Sequence, residues 1–595
     1  VVRGKIFNEN GEVLENVNIT IEDSNDNSII AFAISDQNGE YSLFINDAYL
    51  KIYIVISSFN FKKVRQEILN KTQILNFTLK EFITKIEEVK IDVQAIQQKS
   101  DTITYNAISF EGKEDRSLSD VLKKIPGILV DENGRIKYQG VDINKFYIEG
   151  KDLMSGSYGT LTNSLPKEAV TKIQVLEEHQ PIKILRSNNI TTNRAAINIK
   201  LKKDITLTGS SNIGLGYSPF LWNAKITPML FTKKYQYLIN YKSNNIGDDV
   251  ITELQTFSFD EGFEGLTFDN LTGYLLNVAQ SELPKIDQNR YLFNRVQLFS
   301  ANGLTSLSKD WEIKADLSYF SNETKRDGSY FSKINFFDEN NNLTNTINYY
   351  RTNNTELNNN QLKTKIILTK NADKSFLKNT IKYQGNWNST TGTTNFDTSI
   401  INQSLSSPSY SFQNSLSAIT YIGKKIVNFK STINYINDTQ SYFVAPFNYI
   451  NLVQFPIVDV EKVNQSIAKN TIDIVNKASF IFSINKISIS PTIGFEVEKT
   501  KFKSLIVGID SSENDINFGN EFSNNLVFNR FIHESSFTIN FIDESWNMNI
   551  NLPLKYNFFK IENIYEDSNK SLNKYTFEPN ITLKYKISSE LYKTI

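Results

Sequence analysis

The fold is decided by residues 478–497, which read ASFIFSINKISISPTIGFEV. Up to Ile484, apolar residues stand at every second position, with serine between most of them. Asn485-Lys486 interrupts the run, and the alternation then resumes from Ile487 to Val497. Because successive side chains of a strand point to opposite faces, the pattern predicts two long strands joined by a two-residue hairpin turn.

The same unit recurs in the second half of the chain. Alternating strands flank short turns at 308–310 and 543–545, whereas long polar segments at 499–530, 559–574 and 244–289 are predicted to be loops. Outer-membrane strands need about 9–11 residues, more than the five or six usual in soluble sheets. Short turns on one side and long loops on the other favour a transmembrane antiparallel β-barrel over the alternative, a soluble β-sandwich or β-helix.

Composition narrows the possible classes of function. Lys+Arg at 64 and Asp+Glu at 65 nearly cancel, which argues against nucleic-acid binding. The chain has no Cys and two His, so it offers no disulfide framework or thiolate metal site and little basis for His-dependent catalysis. No apolar run reaches the roughly 18 residues of a membrane helix, so a lipid-spanning chain of this kind could only be a closed barrel.

Residues 1–80 are predicted to form a separate all-β unit. Four short alternating runs predict four strands between residues 2 and 45. The last is preceded by Asp36-Gln37-Asn38-Gly39, and Asn-Gly ahead of an alternating run is a strong hairpin signal. A calcium loop is the alternative, but the later glutamate ligand that it requires is missing. The chain opens on a strand at Val1, so we expect either a protein that is not exported or one whose leader has been removed.

Between residues 101 and 204 the pattern mixes short helices and strands. Ser117 with Asp120 predicts a capped helix start, and Pro126-Gly127 ends that helix. Short strands are predicted at 128–130, 136–138, 146–148, 172–176 and 196–201, and a second short helix at 166–170. This order predicts a compact α+β domain.

Several ordered segments of this domain resemble a known receptor family. Residues 101–107 read DTITYNA and residues 122–127 read LKKIPG. With the elements that follow, they resemble the plug of Bacteroidota TonB-dependent outer-membrane receptors. The spacing of Gly4, Gly11, Gly39 and Tyr41 resembles the carboxypeptidase-regulatory-like, transthyretin-like β-sandwich that commonly precedes such receptors.

The resemblance implies a mainly β chain with four parts. These are a β-sandwich at 1–80, a linker at 81–100, an α+β plug domain at 101–204 and a transmembrane antiparallel β-barrel of the 22-stranded type at 205–595. Roughly fourteen to sixteen strands fit into the last part, against 22 in plugged transporters. Leu591 begins a strand and the chain stops at Ile595, so we expect the C-terminal strands to be missing.

The resemblance also implies a function. Such receptors import a solute through the plugged barrel, driven by periplasmic TonB with its ExbB/ExbD motor, sometimes with a SusD-like surface lipoprotein. The resemblance also implies that the barrel lies in the outer-membrane lipid of a Gram-negative bacterium and that the N-terminal domain lies in the periplasm. A TonB box would lie at Ile86, Glu87, Glu88, Val89, Lys90 and Ile91, although a spacer or a last sandwich strand is the alternative there. The alternative function is a non-transporting structural or assembly component of an outer-membrane complex.

Few other residues suggest a binding site. Ser155, Gly156, Ser157, Tyr158 and Gly159 are predicted to form a mobile plug loop and are a candidate for contact with the solute; a phosphate loop would need Gly-Lys-Ser/Thr, which is absent. His179 follows two glutamates and is predicted to lie in a solvated loop rather than in a metal site, and His533 at a strand end. No nucleophile–base set or cofactor fingerprint is found, so we predict no enzyme activity, no cofactor and no metal.

Overall fold

The computed structural model describes the chain except residues 24–27, 46–50, 83–93, 132–133, 189, 191, 193, 251–256, 258–274, 293, 339–340, 397–398, 448–459, 485, 544, 587–591 and 595. The fold is mainly β, as predicted, and its largest element is one antiparallel sheet. Among the described residues, no helix has both the length and the apolar character needed to cross a membrane.

The first unit, which we call the N-terminal sandwich, consists of two packed sheets. Its strands are β1 (Val2–Asn8), β2 (Asn18–Asp23), β3 (Ile29–Ile34), β4 (Glu40–Leu43), β5 (Lys51–Ser57), β6 (Val64–Leu69), β7 (Gln73–Ile74) and β8 (Phe77–Leu79). One sheet has the order β4-β1-β7 with β8 also beside β1, and the other has the order β3-β2-β5-β6. Both bury alternate apolar side chains in one core, including Ile6, Ile19 and Ile54.

The predicted turn between β3 and β4 is confirmed. Asp36 Oδ1 accepts the backbone N–H groups of Asn38 at 2.9 Å and Glu40 at 2.8 Å. Gly39 has a φ of 72°, a conformation that a residue with a side chain adopts at a cost. The aspartate and the glycine therefore fix a turn here. The hairpin that Asn38-Gly39 predicted is not formed, because β3 pairs with β2 and β4 pairs with β1, in different sheets.

The second unit, which we call the middle unit, spans residues 96–201. Its strands are β9 (Ile96–Lys99), β10 (Thr102–Asn106), β11 (Ile128–Val130), β12 (Ile136–Tyr138), β13 (Val141–Asp142), β14 (Lys145–Ile148), β15 (Val170–Leu176) and β16 (Ala196–Leu201). Its helices are α1 (Leu118–Leu122), α2 (Gly159–Ser164) and α3 (Lys183–Arg186), with 3-10 turns at Ala107–Ser109 and Lys167–Ala169. A five-stranded sheet, β14-β16-β15-β10-β9, and a three-stranded sheet, β11-β12-β13, enclose one apolar core.

The predicted cap of α1 is confirmed. The Asp120 carboxylate accepts the backbone N–H and the hydroxyl of Ser117, each at 3.0 Å. The second predicted helix is only the 3-10 turn at Lys167–Ala169, and α2 was not predicted. A helix as short as α2 has no apolar periodicity to detect, because fewer than two turns cannot repeat a 3.6-residue pattern.

Seventeen strands in the described part of the chain form the large sheet. They are β17 (Thr206–Gly216), β18 (Leu221–Phe231), β19 (Tyr235–Asn244), β20 (Asn294–Ser306), β21 (Trp311–Phe337), β22 (Leu343–Ala372), β23 (Ser375–Phe396), β24 (Ser399–Ile422), β25 (Lys425–Ala445), β26 (Val460–Ile484), β27 (Ile487–Asp510), β28 (Asp515–Asn517), β29 (Asn524–Ile542), β30 (Trp546–Asn563), β31 (Ser568–Phe577), β32 (Asn580–Lys586) and β33 (Tyr592–Thr594). Additional 3-10 turns lie at Gln288–Arg290 and Asn520–Phe522. Strands pair antiparallel in chain order, with further pairings of β27 with β29 and of β30 with β32.

The predicted hairpin at 478–497 is confirmed, but two predicted loops are wrong. Most of 499–530 continues as β27 and β29, and most of 559–574 continues as β30 and β31. In these segments both faces of the sheet mix polar and apolar side chains, so the regular alternation disappears while backbone pairing persists. The strand predicted from Tyr575 onward is divided at Glu578-Pro579, where proline cannot donate a ladder hydrogen bond.

The two faces of the large sheet differ in polarity. We call the face that contacts the middle unit the inner face and the opposite one the outer face. On β24 the inner face carries a run of buried polar side chains: Gln403, Ser407, Ser409, Ser411, Gln413, Ser415 and Ser417. On the outer face of the same strand Tyr410 and Phe412 are exposed. The sheet therefore hides polar groups and exposes apolar ones, the inverse of a water-soluble sheet.

Candidate functional site

Ion pairs and hydrogen bonds join the middle unit to the inner face of the large sheet. Lys151 Nζ lies 2.9 Å from Glu312 Oε1, and Lys183 Nζ lies 2.9 Å from Asp310 Oδ1. Gln236 is fully buried and donates from Nε2 to the carbonyl oxygen of Ile148 at 2.8 Å. These contacts connect the middle unit to β19, to β21 and to the turn that precedes β21.

An apolar contact lies beside these polar ones. Ile182, Ile184 and Leu185, at and within α3, pack against a patch of the inner face formed by Phe376, Ile419, Ile426 and Ile481. Asn371 reinforces the contact, because its Oδ1 accepts the backbone N–H of Lys183 and its Nδ2 donates to the carbonyl of Pro181, both at 2.9 Å. Helix α3 is therefore the part of the middle unit that binds the sheet by apolar burial.

A cavity of about 410 Å³ lies between the middle unit and strands β21–β23. Its lining is rich in charge and includes six cationic side chains and three carboxylates: Lys145, Lys183, Arg186, Lys309, Lys314, Lys378, Asp152, Asp310 and Glu312. Two of the three carboxylates, Asp310 and Glu312, come from the large sheet and its turn. The cavity thus lies between two parts of the chain, and its lining has an excess of positively charged groups.

Asp152 connects the two walls of the cavity. Its Oδ2 lies 3.5 Å from Lys145 Nζ of the middle unit and 3.7 Å from Lys314 Nζ of β21. Lys314 Nζ also donates to Ser155 Oγ at 3.2 Å, and the backbone N–H of Ser155 donates to Asp152 Oδ1 at 2.8 Å. One carboxylate therefore orients a loop of the middle unit and a lysine of the sheet together.

The predicted loop at 155–159 is divided in the structure. Ser155 and Gly156 line the cavity, whereas Gly159 is the first residue of α2. Tyr158 is buried and stacks on Phe146 with ring centroids 5.3 Å apart, and burial raises the pKa of its hydroxyl to about 12. Only the first two of the five predicted residues therefore lie where a solute in this cavity would contact them.

The prediction that His179 lies in a solvated loop is wrong. The ring is half-buried in the cavity lining, with Nε2 3.1 Å from the hydroxyl of Tyr147. Burial lowers the pKa of His179 to about 4, and the nearby charges of Arg186 and Lys145 lower it further. The imidazole is therefore neutral near pH 7. The sequence could not show this burial because Tyr147 lies 32 residues away.

The remaining predicted positions fall elsewhere. His533 lies within β29 rather than at a strand end, because its backbone pairs with Tyr556 and Phe495 on both sides. The segment Ile86–Ile91 lies outside the described residues. In the part of the chain that the structure describes, no group of three or more His, Asp and Glu side chains is placed to hold a metal ion.

A contact that the sequence did not reveal lies on the inner face of β22, β24 and β25. The segment 275–279 runs across these strands, and two buried glutamines hold its backbone. Gln440 Oε1 accepts the N–H groups of Leu275 at 3.0 Å and Leu276 at 3.1 Å. Gln403 Oε1 accepts the N–H of Ala279 at 3.1 Å. Buried glutamines on a sheet face are a signal for such backbone contacts, since each needs a hydrogen-bond partner.

Comparisons with known proteins add little to this geometry. No protein-family model matches the sequence, and no curated protein is similar to it. Among solved structures, the chain is similar to the open form of the ferric-catecholate import receptor Fiu from E. coli K12, with 10% identity, a TM-score of 0.26 and coverage of 82% of this chain and 83% of that one.

Two further solved structures match in the same range. The ferric yersiniabactin uptake receptor FyuA from Yersinia pestis matches at 7% identity and a TM-score of 0.29, with 83% of each chain covered. The ferric preacinetobactin receptor BauA from Acinetobacter baumannii matches at 9% identity and a TM-score of 0.28, with 82% of this chain and 76% of that one covered. At these identities and TM-scores, the likenesses support no conclusion about the activity of this chain.

Proposed function

We propose that this chain is an outer-membrane transporter whose middle unit plugs a barrel formed by the large sheet. The observation that carries the proposal is the apolar outer face of the sheet over a polar inner face. An exposed apolar surface of this extent is costly in water and stable in lipid. Backbone groups in lipid need partners, and antiparallel pairing supplies them along the strands.

The apolar part of the outer face has the height of a membrane. On β30 it runs without interruption from Trp546 to Phe558, which is about 40 Å along the strand and about 30 Å along the normal at the usual tilt. On β21 it runs from Trp311 to Tyr319, which gives about 20 Å by the same reasoning. These values bracket the ~25 Å apolar band of known outer-membrane barrels.

Aromatic side chains mark both ends of this band on β30. Trp546 contacts Tyr585 near the short turn, with ring centroids 4.5 Å apart, and Tyr556 contacts Tyr575 at the other end, at 5.1 Å. Rings that are apolar over most of their surface and polar at one edge favour the boundary between lipid and water. Two aromatic levels on one strand therefore support a membrane crossing.

In this proposal the charged cavity is where a solute passes. The polar contacts that close it, such as Lys183 with Asp310, can exchange for contacts with water when the middle unit moves. Before it moves, the apolar contact through α3 holds the middle unit in its resting position. The segment 275–279, bound to Gln403 and Gln440, narrows the space above the charged cavity.

We further propose that movement of the middle unit is driven by TonB with its ExbB/ExbD motor. Residues 86–91 would add as a strand to the edge of a TonB sheet, which requires their backbone N–H groups. The N-terminal sandwich, as a carboxypeptidase-regulatory-like domain, would then lie in the periplasm ahead of this segment. A SusD-like lipoprotein on the outside would be a partner only if the solute needs capture at the surface.

Strand addition is tested with a matched pair of variants at one position. Val89→Pro removes a backbone donor and should abolish binding of the purified TonB periplasmic domain, whereas Val89→Thr keeps strand propensity and should bind like the wild type. Both proteins should insert equally into membranes. Equal TonB binding by the two variants would reject the assignment of the box, and absence of binding by the wild type would favour a structural component that does not transport.

A further inference from the structure

Three lysines form a column on the outer face of β27. Lys499, Lys501 and Lys503 alternate with inner-face residues and are all exposed. Successive members are about 7 Å apart along the strand. Their side chains make no hydrogen bond or ion pair with any residue that the structure describes. Three unpaired like charges at this spacing repel each other.

The neighbouring strands do not compensate this charge. The residues paired with the three lysines are Ile472, Asn470 and Ala468 on β26 and Asn529, Val527 and Asn525 on β29. Two lysines elsewhere on the outer face do have acidic neighbours: Lys325 lies 3.5 Å from Glu356, and Lys560 lies 2.5 Å from Glu562. The column on β27 is thus a site of uncompensated positive charge.

The column begins where the apolar part of β27 ends. Outer-face positions of β27 are apolar from Ile487 to Val497, and the next three are the lysines. The short turn before Ile487 lies at the opposite end of this apolar run. If the sheet spans the membrane as proposed above, with its short turns on the periplasmic side, the lysines lie at the headgroup level of the outer leaflet.

A cavity of about 460 Å³ opens beside the column on the same face. Its lining combines Lys503 with hydroxyl groups of four outer-face residues and of Tyr565, the four being Ser406, Thr439, Ser441 and Ser466. Hydroxyl groups donate and accept hydrogen bonds to sugar or phosphate oxygens, and lysine supplies the counter-charge.

We propose that this column and cavity bind the phosphorylated headgroup of an outer-leaflet glycolipid. The lysines neutralise the phosphates, the cavity receives the adjoining sugar, and the apolar face of β27 packs along the acyl chains. The inference rests on the proposed membrane placement but not on transport or on TonB.

The test measures binding of bisphosphorylated lipid A to the full chain by native mass spectrometry in detergent. The triple variant K499Q/K501Q/K503Q should bind roughly a hundredfold more weakly, since each lysine at an anionic lipid surface contributes about fivefold. The control K325Q/K333Q/K560Q removes the same charge from other strands of the outer face and should bind within twofold of the wild type.

Two further ligands identify the source of the phosphate. Dephosphorylated lipid A should bind the wild type no more tightly than it binds the triple variant, and inorganic phosphate alone should not displace lipid A. Equal affinity of wild type and triple variant for lipid A, or displacement by inorganic phosphate, would overturn the proposal. Failure of the wild type to insert into bilayers, measured separately, would instead overturn the membrane placement.

Discussion

The substitution Ile493→Arg distinguishes a sheet whose outer face contacts lipid from one whose outer face contacts water. Ile493 lies on the outer face of β27, near the middle of the apolar run from Ile487 to Val497, and is 55% exposed. An arginine at the midplane of a barrel costs about 2–4 kcal/mol, which lowers the ratio of folded to unfolded protein about 30- to 900-fold. On a water-exposed face the same change would stay within about 0.5 kcal/mol.

The matched control is Leu505→Arg on the same strand and the same face. Leu505 is 38% exposed and lies beyond the lysine column, so its replacement should cost about 0–1 kcal/mol. Both variants are compared with the wild type by guanidinium unfolding from phosphatidylcholine bilayers, and by the fraction that folds into them. Equal, small costs for Ile493→Arg and Leu505→Arg would refute the proposal that this face contacts lipid.

Three other predictions concern the middle unit. Because the chain has no Cys, the double variant Lys183→Cys/Asp310→Cys can be bridged with a short bifunctional thiol reagent. In planar bilayers, urea should loosen the middle unit and open an ion conductance through the barrel. The bridge should suppress this conductance, and cleaving the bridge should restore the conductance. Ile184→Ala should lower the urea concentration that opens it, because emptying this buried contact costs about 2–5 kcal/mol, and an unchanged concentration would contradict the role of α3. The lowered pKa of His179 means that between about pH 6.5 and pH 4 the unfolded chain binds a proton that the folded chain does not, so stability falls as the pH falls through this range. His179→Gln should flatten that dependence in urea titrations, and an unchanged slope would show that other groups cause it.

How much of the fold could be read from the sequence depended on where the outer face is apolar. The alternation from Ile487 to Val497 identified its strand, because the outer-face positions are apolar there and the inner-face positions are mostly polar. From Lys499 onward each face mixes polar and apolar side chains, so the same strand continues without a regular alternation and was predicted to be a loop. Backbone pairing with β26 and β29 sustains it instead.

The candidate site could be predicted only in part for a related reason. Ser155 and Gly156 stood out as a glycine-rich segment, and they do line the cavity. Their partners did not stand out, because Lys314 lies 159 residues from Ser155 and is an ordinary strand lysine in sequence. The burial of His179 depends in the same way on contacts that only the folded chain creates.

The most direct test of the membrane placement is spin labelling along β24 in bilayers. Single cysteines at Tyr410, Phe412 and Leu416 on the outer face, and at Ser411 and Ser415 on the inner face, would be the only thiols in the chain. Labels on the outer face should be accessible to oxygen and shielded from a water-soluble nickel complex, with a period of two residues along the strand. High accessibility of the three outer-face labels to the nickel complex would contradict the proposal that this sheet is a membrane barrel.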